Sequence, residues 1–567
     1  MIGMTKRSGF RPLADTTNLA GGAAFSVSDP AQRLLHIVGA PGFNEPTQYY
    51  ATSEGMKPSL ARQYALKGSI ETLTGPARNI VDTALEVAMS NSPRDLLAIA
   101  YWLRKEGHCR QTPLVLLACA AAMGASRALV REYAPKIIRR ADELAGAYAA
   151  YRFLFGKPIP RALLNGIKDS FANFDDHQLI KYSGESKNPS LKDVLLQMPD
   201  RSAGNPVSRG MAEFIMNGTL LDKNGVDHSD TAPLAASYLT FLKRAKEVGS
   251  FTPEISELAH HARATWEVVI SLFGSNKQTW ESVLPRMGYM AVLRNLRNFV
   301  THGVDASIVA GLIADRGAVL KSKQFPFRFL AASREIQQTD IPVREKNILL
   351  DAISQALEFS VENIGSVPGD TIVIVDVSGS MNTAKISSHS SMSVKEAAAC
   401  MAAIFVKACQ NAYVYVFAQE TKLLEIRKVD SVHSIMERIL TTNVGGATHA
   451  YKPVYDAIDK GIRADRLVLL SDLQCYSEHA NHYNAHILGH GSSGENVSSG
   501  FTAYRNKLNQ NAWLHSVNLN AHDVTSQVPI GQRINLMSGF SDKILGTFIE
   551  AEGGTEIPTM EYIRQNF

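Results

Sequence analysis

Thr371-Ile-Val-Ile-Val-Asp-Val-Ser-Gly-Ser-Met381 is the stretch on which the fold turns. Its first five residues are all β-branched and follow Pro368-Gly369, so they read as a strand buried on both faces. The strand ends in a loop that carries Asp376, Ser378 and Ser380 at alternate positions. In open α/β sheets, ligands bind outside the carboxyl ends of the strands. A carboxylate and two hydroxyls offer only oxygen, which suits Mg²⁺, Ca²⁺ or Mn²⁺ and suits Zn²⁺ or Cu²⁺ poorly. The competing reading is a strand-to-helix turn with an Asp cap.

Two later stretches point to the same chemistry. Asn443-Val-Gly-Gly-Ala-Thr-His449 is a Gly-rich loop carrying one hydroxyl, Thr448, and it leads into a helical segment. Arg466-Leu-Val-Leu-Leu-Ser-Asp472 is a second buried strand, ending in a carboxylate. Asp376, Ser378, Ser380, Thr448 and Asp472 are therefore expected to converge as one divalent-cation site, with Mg²⁺ the expected ion. The pattern resembles the metal-ion-dependent adhesion site of von Willebrand factor A domains. It departs from the commoner Gly-Gly-Thr spelling by the extra Ala447.

Working outward, residues 371–567 alternate strand and helix. Strands are expected at 371–375, 413–417, 467–471 and 512–518, with a hairpin around Gln419–Lys428. Helices are expected near 393–410, 431–440, 450–461, 500–508 and 541–549. That order implies a doubly wound α/β domain with a mostly parallel sheet. Upstream of the linker at 365–370, the pattern is helical from Ala77 to Ile364. Ser92-Pro93-Arg94-Asp95 looks like a capping-box start. Further helices are expected over Ala128–Ala141, Ala162–Phe174, Leu191–Met198, Pro233–Lys246, Pro253–Phe273, Met290–Val300 and Arg344–Ile364. Short connections between amphipathic helices fit a solenoid of HEAT type. Residues 1–55 read as an extended arm with one short strand at Gln32–Val38. The expected domains are thus an arm (1–55), a helical-repeat domain (56–366) and an α/β domain (367–567).

Composition bounds the classes available. The chain has 567 residues, 45% hydrophobic and 20% charged, which is globular and long enough for two or more domains. No signal peptide is read at the N-terminus, and the longest apolar run, Pro113–Ala125, falls short of the about 20 residues a bilayer requires. Five scattered cysteines imply no disulfide framework, so a cytoplasmic protein without a membrane partner is expected. Lys and Arg exceed Asp and Glu by 42 to 35 in residues 1–366 and trail by 16 to 19 after it. A basic part joined to a slightly acidic part points to a polyanion partner for the former.

Outside the cation motif, three stretches carry a further likeness. They are Arg161–Asp169 with Leu179-Ile-Lys-Tyr182 and Leu191–Leu196, Trp280 through Leu284–Met290 to Leu293–Leu296, and Lys321–Arg328 with Phe325-Pro-Phe327. With these, the chain resembles the Ro autoantigen family, a TROVE ring of helical repeats joined to a von Willebrand A domain. Its departures from the animal proteins suggest a bacterial or phage version. The resemblance implies a non-enzymatic scaffold, expected as a monomer. Such a protein would bind small noncoding (Y-like) RNAs and single-stranded 3′ ends of misfolded RNAs in RNA quality control or processing. An exoribonuclease, or another protein with an acidic ligand for the cation, would be a partner. Lys and Arg on the helices would neutralise phosphates, making binding salt-dependent, and aromatic planes would stack on unpaired bases. The candidates are Arg139, Arg140, Lys168, Lys181, Lys187, Lys192 and Arg201, with Arg286, Arg294 and Arg297. Each also fits a solvated helix face. Lys181 stands out because it sits in the matching Lys-Tyr pair, whereas Met198-Pro-Asp-Arg201 puts Asp200 close to where the family has a histidine.

Other readings compete with these. In a protein-adhesion module, the cation would capture a partner's carboxylate and the helices would be a spacer. His479, His482, His486 and His490, with Cys475, have spacings compatible with Zn²⁺ but run into a Gly-rich loop. Ser378 lacks the nucleophile elbow and an ordered His or Asp, which argues against a hydrolase.

Overall fold

The computed structural model describes residues 16–17, 23–24, 29–38, 75–107, 109–156, 158–184, 189–198, 206–384, 392–473, 475, 495–519, 528–529, 532–538, 548, 552 and 560–567. They divide into two compact units, residues 1–44 with 366–559, and 45–365 with 560–567. Lys187, Arg201, the histidines at 479–490 and most of the helix expected at 541–549 lie outside the described residues.

The first unit is built on a six-stranded sheet. Its strands are β1 (Val367–Asp376), β2 (Cys409–Phe417), β3 (Thr421–Leu423), β4 (Arg466–Ser471), β5 (Trp513–Asn518) and β6 (Ile534–Ser538). Their order is β3-β2-β1-β4-β5-β6, parallel except for the β2–β3 pair. Every residue of β1 from Thr371 onward is buried, because helices cover both faces of a parallel sheet. Ile372 and Ile374 share a core with Val454, Phe501 and Tyr504 of the helices Tyr451–Asp459 and Val497–Lys507. The helix Val394–Ala408 packs on β1 and β2 and starts at a reciprocal cap between Ser393 and Glu396. β1 sits between β2 and β4, so the chain reverses its direction of travel across the sheet at the β1–β4 crevice.

Two parts of this unit differ from expectation. Pro30–Val38 is a helix packed against β6, where a short strand was expected. Leu34, Leu35, Ile37 and Val38 are all buried on it, and so short an apolar run reads equally as strand or helix. β6 itself was not anticipated. Beside it, Arg466 of β4 bonds Glu552 through two nitrogens (2.5 and 2.7 Å) and Thr371 Oγ1 of β1 (2.9 Å). His515 lies 3.0 Å from Glu552, stacks on Phe548 and meets Asn535 of β6 at 3.1 Å.

This network makes the α/β unit acid-sensitive. Burial opposes the Glu552 charge, but the hydrogen bonds from Arg466 and His515 outweigh it and hold the carboxyl at about 2, against an ordinary 4.5. Burial holds His515 below its ordinary 6.5, with Glu552 acting against that. Both folded values lie below the unfolded ones, so their stabilisation is complete above about pH 6.5 and is lost as the pH falls toward 2. The glutamate contributes about 3 kcal/mol. The protection factors of the β1 and β4 amides, corrected for intrinsic exchange, should therefore fall progressively in acid, and Glu552→Gln should flatten that dependence. An unchanged pH profile in the variant would show that other groups carry it.

The second unit is helical, and apart from the last helix its helices pack mostly on those one to three places along the chain. That is the pattern of a repeat solenoid. Arg127–Ile137 and Arg161–Phe171 pack so closely that a Cβ on Gly166 would lie 2.8 Å from that of Ala134. A buried ion pair ties three segments together. Arg104 donates to both Glu143 oxygens (2.9 and 3.1 Å), to Ile137 O and to Cys109 O. The final helix, Met560–Asn566, belongs to this unit through Arg564, which bonds both Asp95 oxygens, and through Phe567 O, which accepts from Tyr133.

Several expected helices are divided or shifted. Ala141 opens a new helix, Ala141–Phe155, and does not close the preceding one. Pro253–Phe273 is two helices, Pro253–His261 and Trp266–Phe273, broken at Arg263, whose φ is 47°. Met290–Val300 likewise divides at Asn295 into Tyr289–Arg294 and Leu296–Thr301. All five cysteines are buried. Among the described residues, no helix is long and apolar enough to cross a membrane.

Candidate functional site

The sheet brings the expected cation ligands to one end. Asp376 closes β1 and Asp472 follows β4, its neighbour, so the two carboxylates meet at the β1–β4 crevice. Ser378 donates its backbone N–H to Asp376 Oδ1 (2.9 Å), and its hydroxyl lies 3.3 Å from that of Ser380. The loop of Thr448 is pinned beside them. His449 N bonds Ala418 O, just past β2, and Glu420 N bonds Val444 O. Gly445 makes that approach feasible, since its φ is 86° and a Cβ there would lie 2.6 Å from Gln419 Cβ. Asp376, Ser378, Thr448 and Asp472 are all buried.

Burial first, and then the charge of Asp472, push the Asp376 carboxyl well above the usual carboxylate range. Two buried carboxylates with neighbouring hydroxyls form a donor set that a hard cation would neutralise. The residues therefore fit a divalent ion, with oxygen donors alone.

Ser471 was missed in the sequence. Its hydroxyl donates to Asp376 Oδ2 (2.6 Å) and accepts from Leu473 N (3.0 Å), orienting the carboxylate from the adjacent strand. Leu473 then adopts a φ of 60°, a strained turn directly after Asp472.

In the helical unit, a cleft of about 740 Å³ gathers charge and aromatic surface. Lys181 and His177 reach it from the helix Asp176–Tyr182, whose start is anchored where Leu234 N bonds Asp176 (2.9 Å). His260, His261, Arg263 and Trp266 reach it from the broken helix, and Arg286 from the turn Leu284–Arg286. The break at Arg263 is therefore what builds this wall. Only Lys181 and Arg286 of these were expected in the sequence; His260, His261, Arg263 and Trp266 were hidden inside a segment read as one continuous helix, and His177 carried no local signal.

The other expected cations do not gather there. Arg140 is bound to Asp142 (3.0 Å) and to the Tyr182 hydroxyl, and lies over the Tyr182 ring. Arg139 is exposed and bonds Lys136 O (3.2 Å). Lys168 and Lys192 are half-buried. Arg294 is exposed, and Arg297 is paired with Glu335 at 2.7 Å.

Comparison with known proteins places these observations in context. Residues 259–433 match the TROVE domain family. Telomerase protein component 1 of Rattus norvegicus is 22% identical over 348 residues, 51% of this chain and 13% of that protein. RNA-binding protein RO60 of Deinococcus radiodurans is 24% identical over 213 residues, 35% of this chain and 40% of that protein. The chain thus matches less than half the length of either relative. The crystal structure of the Deinococcus radiodurans RO (RSR) protein superposes with a TM-score of 0.64 at 18% identity, covering 93% of this chain and 100% of that one. At that identity the superposition speaks for the fold alone: helical repeats followed by a doubly wound α/β domain.

Proposed function

We propose that this chain is an RNA-binding scaffold of the Ro autoantigen (TROVE) type and not an enzyme, a reading supported by its similarity to the TROVE domain family and to an RNA-binding RO60 protein. Its ligands are small noncoding RNAs and single-stranded 3′ ends of misfolded RNAs, handled in quality control or processing. The observation that carries the reading is the cleft in which Lys181, Arg263 and Arg286 stand around Trp266. Fixed cations neutralise phosphates, and an aromatic ring offers a base a stacking surface.

Binding of an RNA with a single-stranded 3′ tail should therefore depend on salt. Three neutralised phosphates imply about a 20-fold loss of affinity between 50 and 200 mM salt. Lys181→Glu should cost roughly tenfold more at the lower salt, through one lost phosphate contact and one added repulsion. Lys460→Glu on the α/β unit, where Lys460 is paired with Asp456, is the control and should change affinity less than about twofold. Salt-independent binding, or equal effects of the two substitutions, would refute the reading.

The proposal extends to the α/β unit. Asp376, Ser378, Ser380, Thr448 and Asp472 hold a divalent cation, Mg²⁺ by the chemistry of the donors. With two carboxylates at most, the ion stays electron-poor and takes a carboxylate from a partner protein. In this reading adhesion at the cation and RNA binding at the cleft are separate activities of one chain.

A further inference from the structure

The cleft of the helical unit contains a donor with no acceptor. Arg286 lines it, and its Nη2 is buried without a hydrogen-bond partner. Burial also holds the guanidinium below its usual range. A buried donor left unpaired is costly, and an incoming acceptor relieves that cost. Anions are the natural acceptors, and phosphate matches the guanidinium fork.

Arg263 gives a second, independent indication. It occupies a left-handed conformation, φ 47°, after the helix Pro253–His261, where glycine is usual. Ala264 N closes the turn onto Ala259 O at 2.9 Å. The Arg263 side chain is exposed, so core packing does not account for a charged residue in glycine's place. The position keeps a guanidinium on the cleft wall at the expense of backbone strain.

The third element is an aromatic surface next to the cations. Trp266 is half-buried and lines the cleft. Trp280 lies against it, with 5.5 Å between centroids and 30° between planes. Trp280 is itself locked by a bond from Nε1 to Ser275 Oγ (2.8 Å) and by the Phe299 ring at 5.1 Å. Glu267, the one carboxylate among the lining residues, is an acceptor for an amino group.

We infer that the cleft takes one unpaired nucleotide of a bound RNA, the base stacked on Trp266 and its phosphate held by Arg286 with Arg263 and Lys181. The inference rests on the RNA-binding reading above and narrows it. The site selects single-stranded, base-bearing RNA over a duplex, whose bases are covered, and over a bare polyanion, which has none. The cleft volume lies within the range of about 300–1,000 Å³ usual for small-molecule sites.

The test titrates the full chain with a short single-stranded RNA, the same RNA with abasic residues, its duplex, and inorganic polyphosphate as competitor. The abasic strand should bind roughly 5- to 150-fold more weakly than the intact one. Trp266→Ala should erase that preference, and Trp266→Phe should keep most of it. Arg263→Gly, which relieves the strained turn, should keep or raise the melting temperature while weakening RNA binding severalfold. Arg286→Met should weaken binding as well. Near-wild-type preference for the intact strand in a folded Trp266→Ala protein would overturn the inference and leave RNA binding standing. Polyphosphate competing as well as the intact strand would reduce the cleft to a plain anion site and overturn it too. If no RNA binds the wild-type chain, the RNA-binding reading itself fails.

Discussion

Asp376→Ala should abolish Mg²⁺ binding while leaving RNA affinity within about twofold of the wild type. The carboxylate ends the central strand, is fully buried, and is held by Ser378 N and Ser471 Oγ. Its removal takes away one of only two charged donors in the proposed site, and neither Ser378 nor Ser380 supplies a negative charge in its place. Mg²⁺ keeps several of its waters in such sites, so binding of the ion alone should be weak and should tighten when an acidic ligand completes the shell. At a concentration 100 times its dissociation constant, the ion stabilises the wild-type protein by about 2.7 kcal/mol. In a unit of this size that raises the melting temperature by roughly 5–10 °C. The variant should show no such rise. It should still fold, because deleting Asp376 also removes its repulsion with Asp472. Calorimetric titration with MgCl₂ and RNA binding measured on the same preparation decide the matter. A persistent Mg²⁺-dependent rise would place the ion elsewhere. Lost RNA binding in a folded variant would show that the two activities are not separable.

Glu143→Gln should destabilise the helical unit by about 3–5 kcal/mol, the usual result of removing one partner of a buried ion pair. Only 2% of the Glu143 side chain and 9% of the Arg104 side chain are exposed. The carboxylate accepts from Arg104 on both oxygens and also from the backbone N–H groups of Arg139 and Arg140. A carboxamide offers a single acceptor oxygen and leaves the Arg104 charge buried without its counterion. Replacing both residues together, Arg104→Met with Glu143→Leu, should recover most of the loss, because the cost lies in the unpaired charge. Urea unfolding of the single and double variants measures this. A double variant as unstable as Glu143→Gln would mean that the pair's hydrogen bonds to Cys109 O, Ile137 O and the Arg139–Arg140 turn carry the stability.

The two predictions concern different units, and they also differ in how far their residues stood out in the sequence. Asp376 was conspicuous because a strand of five β-branched residues announces its own end, and the end of a parallel strand is where ligands bind. Asp472 was legible for the same reason. Glu143 and Arg104 were not, since nothing local marks which two charges, 39 residues apart, will be buried together. The Arg466–Glu552–His515 network is similarly long-range. Ser471 looked like one more strand residue until β4 was set beside β1.

The α-then-α/β division of secondary structure, the strand sequence around Asp376 and the chemistry of the oxygen donors followed from the sequence alone. These depend on periodicity and on residue type, which act over a few neighbouring residues. Tertiary structure alone decided that Pro253–Phe273 breaks at Arg263, that Pro30–Val38 is a helix on β6, and that the last helix docks on the helical unit. It also gathered His177, Lys181, Arg263, Trp266 and Arg286 into one cleft. A helix with sound local propensity continues or breaks according to what its neighbours must bury, and a cleft is made by residues far apart in the chain, so neither leaves a short-range mark.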